Sequence, residues 1–284
     1  MQKKLFGKVG IEPTYFPATN LIMPQMHDFK LIEIMWQSYI AGISNILSPN
    51  HKELIHYSLR SWILNHESCD GGGCEFPTNT EFDDIGVLVK LFGMLNSWLY
   101  EKANLLPSSM VSIETEGGCH VNIDLSRVID CEKTDVIEFQ RNLAAFLNSV
   151  PGIVWMCLSP NDNESSKIKY LSDYSTTEKG DCINNRDEYM ELRFFVMPAD
   201  ELELEFHLNL ANAIMWYIFE ETQKGSVFTF KNTRQSLAAY TYDKALEETL
   251  QALKTIGISA EDAMFLGKFD ELKTRISYGK YWLV

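Results

Sequence analysis

The chain has 284 residues, with 25 Lys and Arg against 39 Asp and Glu, a formal net charge of −14. Hydrophobic residues make up 45% and charged residues 23%, the usage of an ordinary globular protein, which excludes a mainly disordered, collagenous or low-complexity chain. The acidic balance excludes a passive, sequence-independent nucleic-acid binder, which needs a basic footprint, and it suits a protein that holds cations.

Taken in chain order, the hydrophobic pattern predicts an α+β fold. Residues 8–15 begin as a strand that Pro13 breaks. Residues 28–47 repeat apolar side chains at helical spacing (Leu31, Ile34, Met35, Tyr39, Ile40, Ile43, Ile46), with Asp28 as N-cap. Residues 54–63 read as a strand. The Gly71-Gly72-Gly73 run makes NHESCDGGGCEF a tight polar loop. A second helix covers 83–105. Strands follow at 110–114 and 119–125, on either side of Gly117-Gly118. In the latter, Cys119, Val121, Ile123 and Leu125 point one way, and His120, Asn122 and Asp124 the other, because strand side chains alternate. A third helix covers 135–150 and stops at Pro151-Gly152. The polar stretch 161–186 reads as a long loop. Residues 189–196 form a strand with Glu191, Arg193 and Phe195 on one face. Residues 200–221 and 236–276 are largely helical. The length fits a single domain over 1–284, with the motif-bearing part at 8–197 and a helical part at 200–284.

No apolar run reaches the roughly 18–20 residues of a membrane span, and MQKKLFGKVGIEP lacks the apolar segment of a signal peptide. The expected setting is therefore the cytoplasm, with no membrane or nucleic-acid partner and reduced thiols. Among the six cysteines, Cys69, Cys74 and the Cys119-His120 pair can be grouped as zinc ligands. The C-x4-C spacing is loose and no second Cys/His knuckle follows, so structural zinc is not expected.

The chemistry lies on strands that otherwise look like core. Four pieces each place a metal-ligand or phosphate-type residue there: Gly10-Ile11-Glu12, the stretch from His66-Glu67 to Cys74-Glu75, Gly118-Cys119-His120-Val121-Asn122, and Glu191-Leu192-Arg193. Carboxylates and imidazole suit Mg²⁺ or Mn²⁺, and a guanidinium beside a carboxylate can grip a phosphate next to a metal. Each piece has a plainer reading: Glu12 as a partner of Lys8, Glu67 and Glu75 as loop carboxylates, His120 as a hydrogen-bonded strand histidine, Glu191 and Arg193 as a salt bridge.

In order, these pieces resemble the carboxylate–amine ligases of the glutamine synthetase and glutamate–cysteine ligase fold, especially the small amidoligases encoded by bacteriophages. That family has a G-x-E-x-E strand, two Glu eight positions apart over a Gly loop, an H-x-[HN] strand and a late E-x-R strand. The resemblance spans residues 10–193 and implies a curved, mainly antiparallel sheet with helices on one face. It also implies ATP and Mg²⁺ (or Mn²⁺) as cofactors, and an acyl-phosphate route that joins a carboxylate to an amine, both small molecules or peptides.

Carried over by position, Glu12, His120 and Glu191 resemble the ligands of the cation nearer the transferred phosphate. Glu67 and Glu75 resemble those of a second cation. Arg193 resembles the arginine that steadies the phosphoryl group, so Arg193 and Glu191 are the expected catalytic pair, with Arg186 and Asn122 beside the nucleotide. Lys167 and Lys169 are further phosphate candidates by location. The chain departs from the pattern at Thr14, which replaces the second Glu of the first strand. Either the second site is weaker, or Asp70 supplies the missing charge, or catalysis is lost. The competing classes are therefore a non-catalytic binding or structural module and a metal-dependent phosphotransferase.

Overall fold

The computed structural model describes residues 4–17, 34–36, 38–39, 67–68, 74–78, 82–103, 105–110, 118–158 and 181–278. Its strands are β1 (Val9–Pro17), β2 (Glu67–Ser68), β3 (Cys74–Glu75), β4 (Leu105–Pro107), β5 (Cys119–Asp124), β6 (Ile183–Asn185) and β7 (Tyr189–Leu192). They pair antiparallel in the order β2-β3-β1-β5-β7-β6, with β4 also on β1. The helices are α1 (Ile85–Ala103), α2 (Ser126–Ile129), α3 (Val136–Ser149), α4 (Pro151–Trp155), α5 (Glu201–Gln223), α6 (Arg234–Ala238), α7 (Tyr242–Ile256), α8 (Ala260–Phe265) and α9 (Lys268–Tyr278). The expected α+β class is observed.

Alternation sorts the sheet into two faces. Val9, Ile11 and Tyr15 of β1, Cys119, Val121 and Ile123 of β5, and Met190 and Leu192 of β7 are buried together with Leu88, Phe92 and Leu95 of α1, Phe139 and Leu143 of α3, and Leu204 and Leu208 of α5. The helices thus cover the apolar face. The opposite face carries Glu12, Thr14, His120, Asn122 and Glu191, joined across strands by the register Glu12↔His120, Thr14↔Glu75 and Asn122↔Glu191.

The long helices start where short acceptor side chains meet apolar periodicity. Asp135 accepts the Glu138 N–H at 2.9 Å, and Asp200 accepts the Glu203 N–H at 2.9 Å, each satisfying one donor that a helix start leaves orphaned. The polypeptide leaves α7 through Gly257 at φ 78°, a left-handed cap that glycine adopts without Cβ strain.

Several expectations change. Pro13 does not break β1. Val9, Ile11 and Pro13 all bond toward residues 76–82, where Pro13 accepts the Phe76 N–H at 3.0 Å. Edges alternate along a strand, so Pro13 withdraws no donor from the β1–β5 ladder. Pro151 does not merely stop α3. It opens α4 at the first helical position, where its missing N–H is harmless. The last expected strand ends at Leu192, after which Arg193 donates to the Cys182 carbonyl, Phe195 accepts from Cys119, and Val196 pairs with Gly118. Met110 closes a 3-10 turn (Ser108–Met110), and the rest of the expected 110–114 strand lies outside the described residues. The end of the expected loop 161–186 is strand β6, hairpinned onto β7. Residues 34–36 and 38–39 are helical, as expected, while the rest of the 28–47 helix, the 54–63 strand and the glycines of the 71–73 loop lie outside the described residues.

Candidate metal centre

Three strands deliver one side chain each to a single point. Glu12 of β1, His120 of β5 and Glu191 of β7 place one donor atom each within 4.8 Å of one another. His120 Nδ1 lies 3.2 Å from Glu12 Oε2 and 3.1 Å from Glu191 Oε1. The residues are far apart in sequence but adjacent across the sheet, and the even-numbered face of β5 is the face of Glu12 and Glu191. Among the described residues this is the one group of three such donors at that spacing.

A set of amides and guanidinium groups holds the carboxylates in place. Asn122 donates to Glu12 Oε1 at 2.8 Å, and Asn184 of β6 donates to Glu191 Oε2 at 2.6 Å. Arg193 grips both oxygens of Glu191, Nε to Oε1 at 2.6 Å and a terminal nitrogen to Oε2 at 3.2 Å. Half-exposed Arg186 reaches the same carboxylate at 3.7 Å. A two-point Arg–carboxylate contact fixes orientation as well as charge.

The electrostatics follow from this enclosure. Burial opposes charge on His120, but its hydrogen bonds to Glu12 and Glu191, with their negative charges, outweigh burial and raise the imidazole to about 9. Burial likewise pushes Glu191 up, and the hydrogen bonds and charges of His120 and Arg193 overcome it, holding the carboxyl down at about 2. At neutral pH the centre is therefore an ion cluster in which protonated His120 bridges two carboxylates.

The donor set fits a divalent cation: two carboxylates and one imidazole, oriented by neighbours that keep their own hydrogen bonds. Within the centre, the buried Oδ1 of Asn122 has no hydrogen-bond partner among the described residues. Its NH₂ end must face the Glu12 carboxylate, because only that end donates, so an oxygen acceptor remains in the floor. Cation binding at His120 would replace the proton that now bridges the carboxylates.

The other expected residues fall as follows. Glu75 lies opposite Thr14 and on the same face as Glu12, but it is outside the triad. Glu67 is directly across from Glu75 in the backbone register. Thr14 is buried and donates its hydroxyl to the Gly118 carbonyl at 2.9 Å, so this position ties β1 to the start of β5. Asp70, Lys167 and Lys169 lie outside the described residues. Cys119 faces the core, away from His120, which removes that pair from any shared zinc site. Asn184 is the site residue that sequence reasoning missed. Its signal was the apolar pair Cys182-Ile183 just before a polar turn and the Glu191 strand, the signature of a short hairpin. Compared with known proteins, the chain matches no family model and no curated protein.

Proposed function

We propose that the chain is an ATP- and Mg²⁺- (or Mn²⁺-) dependent carboxylate–amine ligase of the glutamine synthetase-like kind, working in the cytoplasm. One observation carries the reading: residues from three separate sequence pieces of the ligase pattern, Glu12, His120 and Glu191, meet at one point, with Arg193 clamped on Glu191. In this reading Glu12, His120 and Glu191 hold the cation nearer the transferred phosphate, and Glu67 and Glu75 serve a second. The cations and ATP supply charge neutralisation and the phosphoryl group. Asn122 and Asn184 keep the carboxylates aimed. Arg193, with Arg186 at the rim, would face the charge that develops as a substrate carboxylate takes the γ-phosphoryl group and ADP leaves; an amine would then displace phosphate from the acyl phosphate and lose a proton, leaving the amide. Such catalysis is mostly positioning and electrostatics.

The burial of Thr14 favours a second reading. Its hydroxyl is spent on the Gly118 carbonyl, at the position where the family pattern has a ligand Glu, and this suits a non-catalytic module that keeps the fold. The two separate by assay: ADP release and amide formation, followed by mass spectrometry, across a panel of amino acids, polyamines and carboxylates. Amide product supports the ligase. Phosphorylated product without amide supports a phosphotransferase, and no ATP turnover with any substrate supports the module.

A further inference from the structure

We propose that the groove between α5 and the α7–α8 corner is a docking site for a basic amphipathic helix of a partner protein. This inference is independent of the ligase reading. The groove has a volume of about 620 Å³. Its floor includes buried Phe206 and Ile256, and its edges carry Leu202 and Phe265, which are 58% and 80% exposed. Scattered apolar residues on a surface need no explanation, but two large ones flanking a concavity with an apolar floor and a polar rim mark an interaction surface.

Charge selects the occupant. Glu205 and Asp262 line the groove, and among the described residues no lysine or arginine does. Nearby Lys268 does not offset them, since it is buried and held by Glu203 and Glu271. An acidic partner would meet like charge, whereas Lys or Arg flanking an apolar stripe meets both carboxylates while its apolar face fills the floor. The walls are helices rather than a strand edge, so the fitting mode is a helix in a groove, not an added strand. The α5 wall runs from Leu202 to Ala213, about 16 Å at 1.5 Å per residue, which accommodates about three turns of a partner helix.

The test uses the full-length chain and a fluorescein-labelled Leu/Lys amphipathic peptide of about four turns, with a Leu/Glu peptide of the same pattern as control. Fluorescence anisotropy should show saturable binding of the Leu/Lys peptide alone. Phe265→Ser and Leu202→Ser change no charge and remove exposed side chains, so each should leave the thermal midpoint in place and weaken binding about tenfold or more. Glu205→Gln and Asp262→Asn should weaken binding and flatten its salt dependence. Equal binding by wild type and Phe265→Ser would reduce the effect to general charge attraction and overturn the proposal, as would no binding at all. A concentration-dependent dimer in sedimentation that Phe265→Ser abolishes would also overturn it, because a second copy would then own the groove.

Discussion

Two clusters in this protein share one charge pattern, a cation between two carboxylates, yet they are built for different ends. On the polar face of the sheet, His120 sits between Glu12 and Glu191. In the helical part, Lys268 of α9 sits between Glu203 of α5 and Glu271 of α9. The Lys268 side chain is 0% exposed, against 22% for His120 and 24% for Glu12. Burial opposes the charge on Lys268, but Glu271 and Glu203 outweigh it and raise the ammonium further. A lysine so held neither loses its proton nor ligates a metal. A histidine in the same position can exchange its proton for a cation, and its cluster opens to the surface. The same Coulomb pattern thus makes a buried fastener in one place and a part-exposed candidate cation centre in the other.

The sharpest way to break this comparison is Arg193→Lys. The substitution keeps the charge and loses the two-point fork. Under the ligase reading turnover should drop by about 10³–10⁵, as for comparable phosphoryl-gripping arginines, with ATP dissociation far less changed. Steady-state ADP release and ATP titration measure both. If turnover is untouched, Arg193 is only a salt-bridge partner and the two clusters are alike after all.

Next in size is Lys268→Met, which strands Glu203 and Glu271 without their cation. Urea unfolding should show a loss of about 3–5 kcal/mol, the effect of removing one partner from a buried ion cluster. The Lys268→Met, Glu203→Gln double variant should recover part of it, because Glu271 keeps the buried Arg275 as a positive neighbour. A loss below 1 kcal/mol, the range of surface pairs, would refute the fastener role.

Metal should separate the clusters more finely. Mg²⁺ or Mn²⁺ at about 100 times its dissociation constant should stabilise the fold by about 2.7 kcal/mol, since it binds the folded state alone. His120→Ala and Glu191→Gln should abolish the shift in thermal midpoint, and Glu271→Gln should not. An equal shift in all variants would move the cation away from the triad.

The clusters also occupy different pH windows. Burial raises the Glu271 carboxyl from its ordinary 4.5 to about 7, with Lys268 opposing. The folded state then binds the proton more tightly than the unfolded one, so stability falls as pH rises from about 4.5 to about 7. His120 is raised from 6.5 to about 9, so the stability from its charged form is complete below 6.5 and lost as pH climbs through about 9. A series of urea midpoints in the presence of chelator should show both windows. Glu271→Gln should flatten the lower one and His120→Gln the upper one.

Parts of this were legible in the residues. Alternation in Cys119–Asp124 put His120 and Asn122 on one face and the apolar residues on the other, and burial follows that division except at Asn122, which is buried under the Glu12 carboxylate. Glu191 and Arg193, two residues apart, do meet. The helices at 85–103, 136–149 and 201–223 begin after the short acceptors Asp84, Asp135 and Asp200, each of which takes a first-turn N–H. Short segments misled. Pro13 signals a break only when its strand needs the missing donor, and here it does not. Asn184 was hidden because a three-residue strand has too few positions for alternation to stand out from loop composition.

The sequence by itself determined which residues share a face, because strand and helix periods are local properties of the backbone. It also determined the acidic balance and, within about two residues, the bounds of the helices at 85–103, 136–149 and 201–223. Only the tertiary structure decided that β1, β5 and β7 are neighbours, which brings Glu12, His120 and Glu191 to one point. Strand pairing is non-local, and no residue pattern within one strand names its partner. The tertiary structure also decided what each charge does. Lys268 reads like any surface lysine until its helix is packed, and burial between two carboxylates turns it into a fastener. Glu191 reads like any strand glutamate until Asn184, Arg193 and His120 close around it, and that enclosure is what holds its charge in the sheet.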